Sequence, residues 1–285
     1  MGGRGTNHLK HPGLLKRIIS SHYGQSPDLH SLITGNEVEA YALPMGAIAR
    51  MIRSQGSGSP GYITRIGLGT FVDPRHGGGK LNTCTTTDLV ELMEIDKMEY
   101  LRYKPLQINH AFIRATTADS CGNLTDEHES VRADIRVIAT AARSSGGLVT
   151  AQVERMAATG SLNLRDVVVP GALVDCVVVA PDESQHMSFY TKYNPSWSGE
   201  VKAPAEGMPA MEMSVRKVIA RRAALELKVD QIVNLGIGMP EGVALIAGEE
   251  GTLNNITLTT GKCSAFMHEL ILISNRGGDS WRPWS

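Results

Sequence analysis

Short apolar runs alternate with stretches of helical periodicity through the first 180 residues. The runs at 63–68, 112–115, 148–153 and 174–179 are strand-like, the last being rich in β-branched residues, whereas 45–53 and 131–143 show helical character. Apolar residues at consecutive positions are typical of strands that are buried on both faces. The pattern therefore predicts an α/β fold in which these four strands share a mainly parallel sheet with helices on both faces.

Residues 181–210 differ in character, because they are polar, aperiodic and interrupted by prolines. We interpret this segment as an interdomain connection between a first domain at 1–180 and a second unit that starts at 211. In the second unit a helix is predicted over 213–227, with an apolar stripe at Ala220, Ala223, Ala224 and Leu227. A strand at 232–235 and a helix at 241–247 follow. The basic residues of the first of these helices are interpreted as a solvated face (Arg216, Lys217, Arg221 and Arg222).

The charge balance argues against several classes of partner. The chain of 285 residues carries 28 lysines and arginines against 29 acidic residues, a net charge of −1, so no electrostatic feature favours nucleic acid. No apolar run approaches the roughly 18 residues that a membrane span needs. The four cysteines form no CxxC pair, which favours a reducing, cytoplasmic location over a disulfide framework or a zinc site.

Three glycine-rich turns, at 67–75, 77–80 and 234–242, have a composition suited to contacting a ligand. The second is no Walker A loop, because Leu81 stands where Ser or Thr should follow Lys80. The first and third lack the last glycine of a dinucleotide-binding turn, where they carry Val72 and Glu241. Two interpretations of the third turn stay open. It is either an ordinary strand-to-helix connection or a site where free N–H groups at the helix start face an anion or a developing oxyanion.

No catalytic set emerges from the reactive side chains. His8 with His11, and His128 between two glutamates, lack the further ligands that a metal site requires, and no metal is predicted. The chain contains neither GxSxG nor HExxH. Cys84 and Cys121 are interpreted as small core or turn residues, since no histidine and asparagine partners are evident.

Taken together, several stretches resemble one family. The sequences GLGTFVDPRHGGGKLN at 67–82, RKVIARRAALEL at 216–227 and NLGIGMPEGVA at 234–244 closely resemble the long single-chain family I CoA-transferases of the acetate, propionate and acetoacetyl type. The resemblance runs in order from about Gly5 to Thr260. It implies a first CoA-transferase domain at 1–180 and the start of a second, similar domain at 211–260.

The resemblance also implies an activity, which is transfer of CoA between short-chain acyl-CoAs and free carboxylic acids through a glutamyl-CoA intermediate. The CoA thioester is then a substrate rather than a bound cofactor, and the intact enzyme is expected to be a homo-oligomer. The resemblance assigns the CoA and acyl site to the third turn, namely to Gly236, Ile237, Gly238, Met239 and Pro240.

Two departures from the family pattern bear on activity. Family members begin further upstream, and they read roughly LTxE followed by GxxGG at the nucleophile, where this chain has Gly261 in place of the glutamate. Residues 261–285 do not match the family, and we interpret this tail as the product of a frameshift or truncation, with a genuine short variant as the alternative. Glu249 and Glu250 lie too far upstream to replace the nucleophile, so no catalytic residue is assigned and the chain alone is expected to be inactive.

Other functions remain open on the same fold. The chain is alternatively a non-catalytic remnant or an interaction subunit, or it is an acyl-CoA hydrolase. A sugar-phosphate isomerase is disfavoured, because Glu241 is the one acid–base carboxylate placed near the glycine turns.

Overall fold

The computed structural model describes residues 6–24, 26–131, 133–180, 182, 185–188, 192–201, 210–236 and 238–260. The chain divides into two compact units. The first combines Met1–Glu127 with Arg132–Phe189, and the second combines His128–Val131 with Tyr190–Ser285.

In its described residues, the first unit mixes short strands with three α-helices. The helices are α1 (Pro27–Thr34), α2 (Met45–Gly56) and α3 (Ile135–Ser144). The strands are β1 (Arg17–Ser20), β2 (Glu39–Ala42), β3 (Tyr62–Thr64), β4 (Val90–Ile95), β5 (Met98–Tyr103), β6 (His110–Arg114), β7 (Thr117–Asp119), β8 (Leu124–Thr125), β9 (Leu148–Val153), β10 (Arg155–Ala157) and β11 (Cys176–Val179). They form small sheets with the orders β1-β2, β3-β5-β4, β10-β7-β8 and β11-β9-β6.

The sheet β11-β9-β6 is parallel throughout. Its strands coincide with three of the four predicted runs, and the α/β class is confirmed. The buried side chains of β6 and β9 alternate with exposed ones, and they pack with Ala139 and Ala142 of α3 in one hydrophobic cluster. A helix after a strand covers one face of a parallel sheet, as such connections require.

The fourth predicted run, 63–68, does not belong to this sheet, so that prediction is wrong. Its strand is only Tyr62–Thr64, and it pairs antiparallel with β5. Beyond Thr64 the chain turns, because Gly67 adopts φ +100° and the hydroxyl of Tyr103 donates to the Ile66 carbonyl at 2.8 Å. A long-range contact therefore ends this strand early.

The second unit contains a helical turn and one βα layer. Its elements are α4 (Pro195–Ser198), α5 (Val215–Ala224), β12 (Ile232–Leu235), α6 (Glu241–Glu249) and β13 (Thr257–Thr260). The predicted strand at 232–235 is confirmed, and the helix predicted over 213–227 is shorter at both ends. β12 pairs in parallel with β13, and α5 and α6 share a core with Ile246, Leu253 and Leu258.

The basic side chains of α5 are not simply solvated, which corrects the interpretation above. Lys217 Nζ lies 2.8 Å from a Glu249 carboxylate oxygen, and Arg221 lies 3.6 Å from Glu250. Both glutamates close the C-terminal end of α6, so charge pairing adds to the apolar contact between the helices. None of the helices in the described part of the chain is long and apolar enough to cross a membrane.

Candidate functional site

The third glycine-rich turn connects β12 to α6. β12 ends at Leu235, and α6 begins at Glu241 directly after Pro240, whose φ of −62° suits a helix start. Gly238 adopts φ +97°, a conformation that glycine reaches without strain. Among the described residues, a Cβ added at Gly236 would meet only Pro240, at 3.9 Å, and one added at Gly238 would meet no atom within 4 Å. The described part of the chain therefore leaves space beside this backbone, as a ligand-binding turn requires.

The N–H groups at the start of α6 are less free than the sequence suggested. Those of Glu241, Gly242 and Val243 donate to the carbonyls of Gly238, Met239 and Pro240 at 3.0–3.3 Å. These three donors are consumed by the turn itself, which corrects the expectation of a free helix start. Within the described residues, no backbone acceptor of this kind is found for the N–H groups of Gly238 and Met239, so the turn itself does not use these two donors.

Arg216 of α5 holds this turn from the side. Its guanidinium donates to the Gly238 carbonyl and lies 3.7 Å from the Glu241 carboxylate. Arg216 thus connects α5 to Gly238 in the turn and to Glu241 at the start of α6. This contact was not predicted, because the position of Arg216 on α5 indicated only a charged face.

The resemblance assigns five residues to the CoA site, and the structure describes four of them in this turn, namely Gly236, Gly238, Met239 and Pro240. The Met239 side chain is 44% exposed. Ile237 lies outside the described residues. The assignment itself stays a prediction.

β13, the strand beside the turn, ends directly before the position that the resemblance assigns to the family nucleophile. β13 ends at Thr260, which is the register partner of Leu235 at the end of β12. The carboxyl ends of adjacent parallel strands meet at one edge of a sheet, which is where α/β proteins bind ligands. Gly261 follows Thr260 in the sequence and lies outside the described residues.

Glu249 and Glu250 do not reach this edge. Eight residues separate Glu249 from Glu241, about 12 Å along a helix at 1.5 Å per residue. The Glu249 carboxylate accepts hydrogen bonds from the Lys217 ammonium and from the Met211 N–H. These bonds hold the pKa of Glu249 below its usual value, and the bond from Lys217 has the larger effect. Both observations agree with the exclusion of these glutamates as substitute nucleophiles.

The first glycine-rich turn is organised around a buried carboxylate. Asp73 accepts hydrogen bonds from the N–H groups of Gly69 (2.9 Å) and Arg75 (3.0 Å), and the Arg75 guanidinium binds both of its oxygens. The hydrogen bonds from the Arg75 side chain have the largest effect on the pKa of Asp73, and the bond from the Gly69 N–H has the next largest. Together they hold this pKa well below its ordinary range, although burial raises it. Arg75 also reaches Glu99 on β5 at 3.0 Å.

The second turn has a structural explanation for its glycines. Gly77, Gly78 and Gly79 all have positive φ, and a Cβ at Gly79 would lie 2.9 Å from the Ala42 carbonyl. Lys80 pairs with Asp88 at 2.6 Å. The turn therefore packs against β2.

The remaining reactive residues form no site in the described part of the chain. No group of three or more histidine, cysteine or acidic side chains is placed to hold a metal ion there. His128 stacks on Tyr193 with ring centroids 4.1 Å apart. Cys84 is half-buried with its Sγ 3.3 Å from the Val38 carbonyl, and Cys121 is exposed.

Comparison with known proteins decides the family. A model of the family described as "Coenzyme A transferase" matches residues 1–180, more than half of the chain. The chain belongs to the coenzyme A transferase family. The resemblance stated from its motifs is thereby confirmed.

Relatives extend the match into the second unit of this CoA-transferase chain. Caffeate CoA-transferase of Acetobacterium woodii is 43% identical over 260 residues, which is 90% of this chain and 49% of that protein. The crystal structure of the apoenzyme of acyl-CoA transferase YdiF from Escherichia coli O157:H7 superposes with a TM-score of 0.82 at 41% identity, covering 91% of this chain and 49% of the other. A structure of YdiF as a thioester complex with CoA matches at a TM-score of 0.81 and 40% identity, covering 91% and 49% of the two chains.

The chain thus spans about half the length of these relatives. A shorter relative is the acetate CoA-transferase subunit alpha of Escherichia coli K12, which is 29% identical over 60% of this chain and 69% of that protein.

Proposed function

We propose that this chain contributes the CoA-binding turn to an enzyme that transfers CoA between short-chain acyl-CoAs and free carboxylic acids. The observation that carries the proposal is the open turn Gly236–Pro240, at the carboxyl edge of β12 and β13, in a chain 43% identical to a CoA-transferase. In this proposal the N–H groups of Gly238 and Met239 face the thioester carbonyl. Two converging donors stabilise the oxyanion that forms when a nucleophile attacks it.

The proposed reaction proceeds through acyl exchange on a carboxylate. A glutamate attacks the thioester, the C–S bond breaks, and an acyl-glutamyl anhydride forms as CoA thiolate departs. The thiolate then attacks the glutamyl carbonyl of the anhydride, which releases the first acid and leaves a glutamyl-CoA thioester. An incoming carboxylate reverses the two steps and leaves as a new acyl-CoA. Each intermediate is an activated acyl group, so covalent catalysis splits the exchange into accessible steps.

This chain cannot form those intermediates by itself if the resemblance places its residues correctly. Gly261 has no side chain, and the amine of the neighbouring Lys262 would convert a thioester into a stable amide and stop after one event. We therefore propose that the 285-residue chain binds CoA thioesters but does not turn them over alone.

The proposal extends to organisation and context. The domain boundaries remain those of the sequence, with domains at 1–180 and 211–260, a connection at 181–210 and a non-matching tail at 261–285. A cytoplasmic location and a homo-oligomeric intact enzyme belong to the same proposal.

The test is incubation of the purified chain with acetyl-CoA, followed by intact-mass spectrometry and an assay of acetate-dependent CoA exchange. We expect measurable CoA binding by calorimetry, no mass increase corresponding to a CoA adduct, and no exchange. The variant Gly261→Glu should also form no adduct, because a nucleophile without oriented surroundings gains little effective concentration. The full-length YdiF enzyme is the positive control.

Two results would contradict the proposal. Turnover by the isolated chain at ordinary enzyme rates of about 1–1000 per second would show that another residue performs the chemistry. Loss of thioester without a carboxylate acceptor would instead indicate an acyl-CoA hydrolase.

A further inference from the structure

Two donors hold the carbonyl of Gly238 in the third turn. The N–H of Glu241 donates to it at 3.3 Å, which closes the turn in front of α6, and the Arg216 guanidinium of α5 donates to it as well. A carbonyl oxygen has two lone pairs, so these bonds fill its capacity to accept. The backbone bond is long for an N–H···O bond. The arginine therefore contributes more, because charge-assisted hydrogen bonds are stronger than neutral ones.

The same peptide unit carries the Met239 N–H. A peptide unit is planar, and its C=O and N–H groups point in opposite directions when it is trans, as it is between Gly238 and Met239. An arginine bound to the carbonyl therefore fixes the N–H as well, and directs it away from Arg216. Among the described residues, the Met239 N–H has no backbone acceptor in the turn, so its direction is set through the carbonyl.

This peptide unit has little other restraint. Gly238 has no side chain, its φ is +97°, and a Cβ built there would meet no atom of the described residues within 4 Å. Glycine allows the peptide unit that follows it to rotate at low cost. The Met239 side chain is 44% exposed, so packing restrains it weakly. Loss of the arginine bond would leave the long bond from the Glu241 N–H to oppose rotation.

Two contacts place Arg216 beside the turn. Ser214 caps α5, and its side chain accepts from the Lys217 N–H at 3.3 Å, which fixes the helical turn that carries Arg216. The Glu241 carboxylate lies 3.7 Å from the guanidinium and is only 18% exposed. Water and salt screen a charge in that position less than one at the surface, so the carboxylate draws the half-exposed arginine over the turn.

We propose that Arg216 is a positioning residue for the CoA thioester. Its bond to the Gly238 carbonyl keeps the Gly238–Met239 peptide unit in the orientation in which the Met239 N–H faces the thioester carbonyl oxygen. The inference rests on the proposed function, which assigns that N–H to the thioester. It adds that the direction of this donor depends on a side chain from a different helix. Arg216 contacts the turn and not the reacting atoms, so it acts through the peptide unit.

The first measurement needs no ligand. Arg216→Met keeps the apolar stem of the side chain and removes its donors. Arg222→Met is the matched control, because Arg222 lies on the same helix and pairs with the exposed Glu226. We expect nitrogen relaxation dispersion of the 285-residue chain to show exchange on the μs–ms timescale at Met239 in Arg216→Met only. Unchanged amide shifts of β12 and β13 would verify that the second unit remains folded.

The second measurement compares two ligands by calorimetry. Acetyl-CoA has the thioester carbonyl, whereas S-ethyl-CoA has a methylene group in its place and is otherwise the same. One hydrogen bond to a neutral acceptor is worth roughly two- to tenfold in Kd, so we expect wild type and Arg222→Met to prefer acetyl-CoA by that factor. In Arg216→Met the ratio should fall to about one. A purely structural effect would weaken both ligands alike and leave the ratio unchanged.

Two results would overturn this inference alone. They are a flat dispersion profile at Met239 in Arg216→Met, and a preference for acetyl-CoA that this variant retains. A wild type that binds both ligands equally would also overturn it, because the Met239 N–H would then not face the thioester carbonyl. A wild type that binds neither ligand would contradict the proposed function, and this inference with it.

Discussion

The buried carboxylate of Asp73 gives a sharp test of how the first glycine-rich turn is held. Its side chain is fully buried, and it accepts four hydrogen bonds from Gly69 and Arg75 at 2.8–3.0 Å. Asp73→Asn preserves the shape but replaces one oxygen by an NH₂ group. That group is a donor, so it opposes the guanidinium instead of accepting from it. The substitution therefore breaks a buried ion pair without creating a cavity.

The cost is set by the unpaired donors that remain. A hydrogen bond to a charged group contributes about 1.5–3 kcal/mol, and breaking a buried pair costs about 3–5 kcal/mol. Arg75 is 45% exposed, so water partly replaces the lost acceptor, and we expect a loss of about 3 kcal/mol in the free energy of unfolding. The control is Glu99→Gln, which removes the other partner of Arg75. Its carboxylate is 51% exposed, so the cost should stay below about 1 kcal/mol.

The pH dependence has a definite sign. Because the pKa of Asp73 in the folded protein lies far below its ordinary value of 3.8, its stabilising contribution is fully present above that ordinary value. It is lost as the pH falls from there towards the folded pKa. The difference between wild type and Asp73→Asn should therefore be constant from pH 7 to about pH 5 and shrink below about pH 4.

The measurement is urea unfolding of the first unit, followed by far-UV circular dichroism and by the rate at which Cys84 becomes labelled. With a urea dependence of about 1–3 kcal/mol per molar, the expected loss lowers the midpoint by roughly 1–3 M. A shift no larger than that of Glu99→Gln, or a difference between wild type and Asp73→Asn that persists undiminished at pH 3, would refute the reasoning.

Three further substitutions test other parts of the structure. In the same urea titration, Gly171→Ala should destabilise the first unit by about 1–3 kcal/mol, since its Cβ would lie 2.0 Å from a backbone carbonyl oxygen. The control Gly46→Ala, at a helix position where the added Cβ would meet no atom of the described residues within 4 Å, should be neutral or stabilising. Arg216→Ala should weaken CoA binding in calorimetry by releasing the Gly236–Pro240 turn, whereas the matched variant Arg222→Ala on the same helix should not. Glu249→Gln should speed amide exchange in α5 at pH 7 and have less effect near pH 4. The pKa of this carboxylate is lowered in the folded protein, so its contribution to stability is lost as the pH falls.

The parallel strands were predictable because their cause is local. β6, β9 and β11 are short segments with many apolar residues and clear boundaries, and apolar residues of this kind favour strands wherever one face is buried. The β12–turn–α6 connection was predictable for a similar reason, since Gly238 permits the positive φ of the turn and Pro240 fixes its own φ near the helical value.

The antiparallel hairpin β4–β5 was not predicted, and its sequence explains why. The strands Val90–Ile95 and Met98–Tyr103 carry three glutamates, and glutamate is depleted in strands. Their two-residue turn places Asp96 and Lys97 at φ +51° and +63°, although glycine or asparagine usually fills such positions. The pairing is stabilised instead by Leu101 and Tyr103, which are completely buried in a core built from distant parts of the chain.

The contacts of Arg216 at the candidate site were also not predictable, because they join distant parts of the sequence. Helical periodicity assigns each charged residue to a face, but it does not reveal which element that face meets. Here the face of α5 meets the start of α6, so the arginine contacts Gly238 and Glu241. The partner carboxylate is 25 positions away in the sequence, and no local pattern joins the two.

The geometry of the turn separates binding from chemistry. The helix start consumes three N–H groups, so in the proposed function the donors left to face an oxyanion are those of Gly238 and Met239, next to the Gly238 carbonyl that Arg216 binds. The resemblance places the family nucleophile outside this connection, directly after β13, whose last residue Thr260 is paired with Leu235. Because the two proposed contributions come from different strands, we expect glycine in place of a glutamate at position 261 to remove covalent catalysis and to leave the described contacts of the turn unchanged. This is the reason why the proposed function combines recognition of a CoA thioester with loss of turnover.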